Sequence, residues 1–151
     1  MPLGATAVYT PSGGGEQATV QQIVAALLAA ADVAGHTVLA EAQQIVPVDT
    51  GDLEASGAVD TVDNGSAVVS TVSFGTDHAA YVEFGTGQRG AGSPGAGPYP
   101  YNPDWPGMVA QPYLRPALDS SRGEIVSAFQ DQFTGISGAV PGESGYVSVD
   151  K

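Results

Sequence analysis

The stretch from Glu16 to Ile45 holds no proline and a single glycine, Gly35. Within it Ile23, Leu27, Ala31, Ala34, Val38, Ala42 and Ile45 recur at spacings of three and four, the period of one helix face. Alanine is the commonest residue in the stretch and is the strongest helix former. One long helix over residues 16–45 is therefore predicted. It ends before Pro47, because the residue preceding a proline is pushed out of α geometry. Gly35 marks where this helix bends or lets another element approach closely. A long amphipathic helix must bury its apolar face against a partner layer, so the rest of the chain has to supply one.

The segment "GAVDTVDNGSAVVSTVSFG", residues 57–75, alternates with a period of two. It predicts strands at about 57–62 and 67–74, with Val68, Ser70, Val72 and Phe74 on one face. "DNGS" between them, Asp63 to Ser66, is a hairpin turn signal. "AAYVEFG" at 79–85 is rich in aromatic and β-branched residues and reads as a third strand. Residues 109–112 read as a short fourth. Leu118, Ile125, Phe129 and Phe133 predict a closing helix from Pro116 to Phe133. The fold class is α+β: an antiparallel sheet of about four strands packed by a long N-terminal helix and a C-terminal helix.

Glycine and proline, 21 and 11 residues, set the boundaries of that domain. Residues 1–15 and 134–151 read as Gly-rich arms around a single domain at 16–133. The arms carry too little apolar surface to offset chain entropy alone, so they are expected to lean on neighbouring subunits. Tyr146, Val147 and Val149 in the second arm are placed to add an edge strand to a partner. Within the domain, residues 88–108 form a long Gly/Pro loop without periodicity. Loops of this length in small domains are usually functional. Arg89, Tyr99, Tyr101 and Trp105 on it, with Tyr146, are the candidate subunit-interface residues, since large aromatics and arginine anchor interfaces.

The charge excludes several functions. Sixteen carboxylates face four basic residues, for a net charge of −12. Gripping nucleic acid needs clustered Lys and Arg, and so does binding an anionic membrane. No apolar run reaches the length of a bilayer span, and the N-terminus lacks the basic and apolar regions of a signal peptide. There are no cysteines, which removes thiolate metal sites and cysteine nucleophiles. No metal site and no cofactor are expected.

Two stretches invite catalytic readings. Asp49-Thr50-Gly51 is the tripeptide of aspartic proteases. One copy would need a symmetric homodimer, because two carboxylates must share a proton, and a β frame, where this chain has a long helix. The simpler reading makes it a corner, with Asp49 or Thr50 capping a short helical turn at 52–54 and Gly51 loosening the backbone. His78 with Asp77 and Glu83 forms a possible acid–base cluster with no evident nucleophile. No catalytic residue is assigned.

Three segments read in order carry a resemblance: "VPVDTGDLEAS", "AAYVEFGTG" and "AQPYLRPALDSSRGEI". Val46 to Gly51 with Leu53 and Ser56, Ala79 to Gly87, and Ala110 to Leu118 resemble the gene-product-10-like tail components of long-tailed bacteriophages. The resemblance spans roughly 16–133. It implies a structural virion protein at the head–tail junction: a neck, tail-completion or tail-terminator subunit, assembled in the host cytoplasm. It implies a homo-oligomeric ring, hexameric in preference to dodecameric. Its neighbours would be head-completion or adaptor proteins and tail-tube or terminator proteins, with DNA passing through the lumen. The alternatives are the dimeric protease using Asp49 and a non-phage acidic binding module.

The chain departs from the family where basic residues usually follow the DTG corner. It has Asp52 and Glu54 there, and its first helix has no Lys or Arg. Within the shared motifs, Pro47, Asp49, Thr50 and Gly51 are expected to turn helix into sheet. Tyr81 and Gly85 belong to the second motif. Glu83 lies in an apolar segment and needs a partner if buried; Arg115 is the one assigned. Pro112 and Pro116 are expected to fix the entry to the last helix.

Overall fold

The computed structural model describes residues 3–7, 19–134, 136 and 147–150. Its elements are β1 (Leu3–Ala7), α1 (Val20–Ile45), α2 (Asp52–Ala55), β2 (Gly57–Asp63), β3 (Val68–Phe74), α3 (Ala79–Phe84), α4 (Gly87–Ala91), α5 (Leu114–Ser120), α6 (Arg122–Thr134) and β4 (Val147–Asp150). The protein is mixed α+β, as expected, with the long helix leading into an antiparallel hairpin.

Among the described residues the long helix starts at Val20, where Thr19 and Gln22 cap each other; residues 16–18 of the expected span lie outside the described residues. Thr19 N donates to Gln22 Oε1 at 2.9 Å, and Gln22 N donates to Thr19 Oγ1 at 3.2 Å. This reciprocal box satisfies donors that the first turn leaves open. The buried line runs through Ala26, Ala30, Ala31, Ala34, Val38, Ala42 and Val46. It is rotated from the expected stripe: Ile45 is exposed and Ile23 and Leu27 are only half-buried. The chain buries its alanines because small side chains let the helix axis come close to the sheet. By length and composition α1 is also apolar enough to cross a bilayer, which corrects the expectation that no segment qualifies.

Two compact units form, each built from separate stretches of chain. One comprises Leu39–Ala58 and Ser73–Ser120; the other comprises the described residues of Pro2–Val38, Val59–Val72 and Ser121–Lys151. In the latter, the hairpin turn is held as its sequence dictates. Asn64 Oδ1 accepts from Ser66 N at 3.0 Å and Ala67 N at 2.9 Å, and Asp63 Oδ1 accepts from Gly65 N at 2.8 Å. Val68, Ser70 and Val72 are buried, the face that alternation predicts. Gly35 lies over this face, and a Cβ there would stand 2.7 Å from Val59 Cγ1. It is a close-approach glycine inside a helix that runs unbroken from Val20 to Ile45. Ser70 Oγ accepts from Thr61 Oγ1 at 3.0 Å, so the buried serine is satisfied.

The sheet has the order β2-β3-β1-β4. The two terminal arms supply one half of it: β1 pairs antiparallel to both β3 and β4, and β4 is the edge strand. Val147 and Val149 therefore pair within the chain, where the sequence reading offered them to a partner. Tyr146 lies outside the described residues. The strands expected at 79–85 and 109–112 do not form. The first is α3; the second has no regular structure, and an isolated bridge pairs Thr86 with Met108 just before it. β propensity at 81–84 loses to burial: a helix places Ala79 and Glu83 on one inward face, one turn apart, with Tyr81 outside. The closing helix is two helices, broken at Ser121, which is buried.

The other unit gathers Val46, Leu53, Ala79, Ala110, Tyr113, Leu114, Ala117 and Leu118 into its core. Phe74 meets Tyr113 edge-on, with ring centroids 4.9 Å apart. Gly57 lies against Leu39 and Phe74.

Candidate functional site

The candidate site is built around Glu83, whose carboxylate is almost fully buried. Helix α3 carries it inward to the start of α5. Its Oε2 accepts from Tyr113 N at 2.7 Å and Leu114 N at 2.9 Å. Its Oε1 accepts from Arg115 N at 3.2 Å and from Arg115 Nε at 2.8 Å. A helix start leaves backbone N–H groups without partners, and a carboxylate is favoured there by the local field. Glu83 thus acts as the cap of a helix far along the chain. Pro112 and Pro116 suit this entry: neither supplies an N–H, and Pro116 lies in the first turn of α5, where proline is tolerated.

Arg115 is the partner assigned to Glu83 from the sequence, and it does more than neutralise it. One Nη donates to Gly95 O at 2.6 Å, inside the Gly/Pro loop. Its guanidinium carbon lies 4.7 Å from the centre of the Phe84 ring, in cation–π range. Phe84 in turn meets Tyr99 edge-on at 5.0 Å. The Tyr101 hydroxyl donates to Phe84 O at 2.8 Å and accepts from Gly97 N at 2.7 Å. Burial, and secondarily the neighbouring Glu83 charge, push the Tyr113 hydroxyl up to about 12.

These contacts order the Gly/Pro loop at 88–108, which in the sequence shows no periodicity. The loop begins as helix α4 and returns alongside it: Gln88 N donates to Trp105 O at 2.9 Å and Arg89 N to Pro106 O at 3.0 Å. Thr86 and Met108 exchange backbone bonds at 2.9 and 3.0 Å. Gly85, with φ of 73°, packs against the backbone of Met108 and Ala110 at the loop's base. The sequence does not show this, because these bonds, some backbone to backbone and some side chain to backbone, follow no period.

The candidate interface residues therefore divide. Tyr101 is half-buried with its hydroxyl used internally, and Tyr99 is mostly engaged on Phe84. Trp105 is 52% exposed, and Arg89 is exposed with no side-chain partner among the described residues. Tyr81, on the outer face of α3, is also exposed.

At the other motif, Pro47 follows the end of α1 and Asp49 is exposed. The cap position of α2 is held by Gly51, with φ of 86° and no side-chain cap. Thr50 Oγ1 donates to Asp52 Oδ2 at 2.8 Å, so its hydroxyl ties the corner locally. Asp49 caps nothing, which corrects the role first given to it. His78 is exposed and Glu83 is turned to α5, so the acid–base cluster does not assemble. Among the described residues no group of His, Asp and Glu is placed to hold a metal ion.

No curated protein and no solved structure matches the chain. Residues 16–85 do match a family model; the stretch takes in α1, the DTG corner, the hairpin and the Tyr81–Gly85 motif, while the Arg115 motif lies beyond it. The model that residues 16–85 match is that of the HK97-gp10-like family, described as "Bacteriophage HK97-gp10, putative tail-component".

Proposed function

We propose that this protein is a structural subunit of a ring at the phage head–tail junction. The family match supports the coarse reading, a structural tail component without an enzymatic role. The observation that carries the finer one is the braced loop. Trp105 and Arg89 stand exposed on a segment that Tyr101 and Arg115 tie to the core. An aromatic and a cation presented on a rigid element lose little entropy on docking, which suits an assembly surface. Rings arise when such a contact is head-to-tail and closes.

On this reading the copies form a hexamer, with a dodecamer as the alternative, between a head-completion or adaptor protein and the tail tube or terminator. The net charge of −12 supports a lumen that DNA traverses without adhering. Electron cryomicroscopy of intact particles, with native mass spectrometry of the isolated protein, tests this. Closed rings and density for this fold at the neck are expected. A protein that stays monomeric and is missing from purified virions would sink the proposal.

A further inference from the structure

A second surface lies in the unit that carries the amino-terminal half of α1. Between α1 and α6 runs an open cleft of about 450 Å³, lined by Val33, Glu124, Ala128 and Asp131 among others. Glu124 and Asp131 are two turns apart on one face of α6, so the α6 side of the cleft is acidic. Val33 stays 47% exposed. The cleft joins exposed apolar surface to paired negative charge.

The charge ledger of the chain limits what can fill it. Each copy carries a net charge of −12, so copies repel unless a cation of one meets carboxylates of another. Only four basic residues exist: Arg89, Arg115, Arg122 and Lys151. Arg115 is committed to Glu83, Arg122 already has an interaction, and Lys151 lies outside the described residues. Arg89 is exposed and uncommitted among the described residues. Its backbone N–H bonds to Pro106 O, beside the exposed Trp105, so one loop presents a cation and an indole together.

We infer that the α1/α6 cleft receives the Arg89–Trp105 loop of a second copy of this chain, with Arg89 between Glu124 and Asp131 and Trp105 over Val33. This rests on the ring reading and names its contact. The two surfaces differ, so the contact is head-to-tail and propagates around a closed ring. It also leaves the Glu83–Arg115 brace in place, as a stiff mount for the loop.

Charge reversal tests it. Arg89→Glu and Asp131→Arg are each expected to weaken self-association about tenfold or more, as sedimentation or native mass spectrometry would read it. The double variant is expected to recover much of the loss, because the pair is restored with its signs exchanged. Both sites are exposed, so circular dichroism should be unchanged. Rings that persist in Arg89→Glu overturn this contact and leave the ring reading standing. Single losses without recovery in the double variant also overturn it. A wild-type protein that neither self-associates nor occurs in virions removes both.

Discussion

Glu83 Oε1 lies 2.8 Å from Arg115 Nε, and the same carboxylate takes the backbone N–H groups of Tyr113, Leu114 and Arg115. One buried side chain therefore starts a helix, holds an arginine and, through that arginine's bond to Gly95, steadies the loop. Removing it strands several donors at once. Glu83→Ala is expected to destabilise the protein by about 3–5 kcal/mol, the range for breaking a buried ion pair from one side. Urea unfolding measures this, and a loss under about 1 kcal/mol would contradict the capping role.

Tyr113 gives the same region a pH dependence. Its hydroxyl is raised to about 12 in the folded protein against 10.0 for an ordinary tyrosine. The neutral form is the one that folding favours. Its contribution is thus fully present below pH 10 and is lost as pH climbs towards 12. The total is on the order of 2–3 kcal/mol. Tyr113→Phe should flatten the fall in stability between those limits. An equally steep alkaline loss in the variant would assign it to other groups.

The Tyr101 hydroxyl both donates to Phe84 O and accepts from Gly97 N. Tyr101→Phe leaves those two backbone groups without their partner, at about 1–3 kcal/mol. The effect should be local. Hydrogen exchange at the Gly97 amide is expected to speed up while the buried amides of α1 keep their protection; an unchanged Gly97 rate would refute the brace.

At the DTG corner the glycine matters and the aspartate does not. Gly51 has φ of 86° with open space around its α-carbon. Gly51→Ala should cost about 1–2 kcal/mol from backbone strain alone, and Gly51→Val more. Asp49→Asn should stay within about 0.5 kcal/mol, as for an exposed side chain with no structural bond. Particle assembly with Asp49→Asn is expected to be normal. A loss of assembly with the fold intact would return Asp49 to the list of working residues.

The sequence by itself determined the parts whose signals are local. The period of Ile23 to Val38 and the stop at Pro47 gave the long helix, and "DNGS" with its flanking alternation gave the hairpin. The pairing of Glu83 with Arg115 was legible because a carboxylate in an apolar segment needs a cation, and the chain has few to offer. Residues 79–84 were misread because Tyr, Val and Phe favour strands locally, whereas the folded protein needs Glu83 directed at a distant helix start. That demand is tertiary. So is the placement of the terminal arms in the sheet, which depends on register between residues more than sixty positions apart. The order of the Gly/Pro loop was likewise invisible, because bonds from Arg115 and Tyr101 to backbone carbonyls and amides leave no periodic trace. Only the fold could decide which aromatic on that loop is tied down, Tyr101, and which is left facing solvent, Trp105.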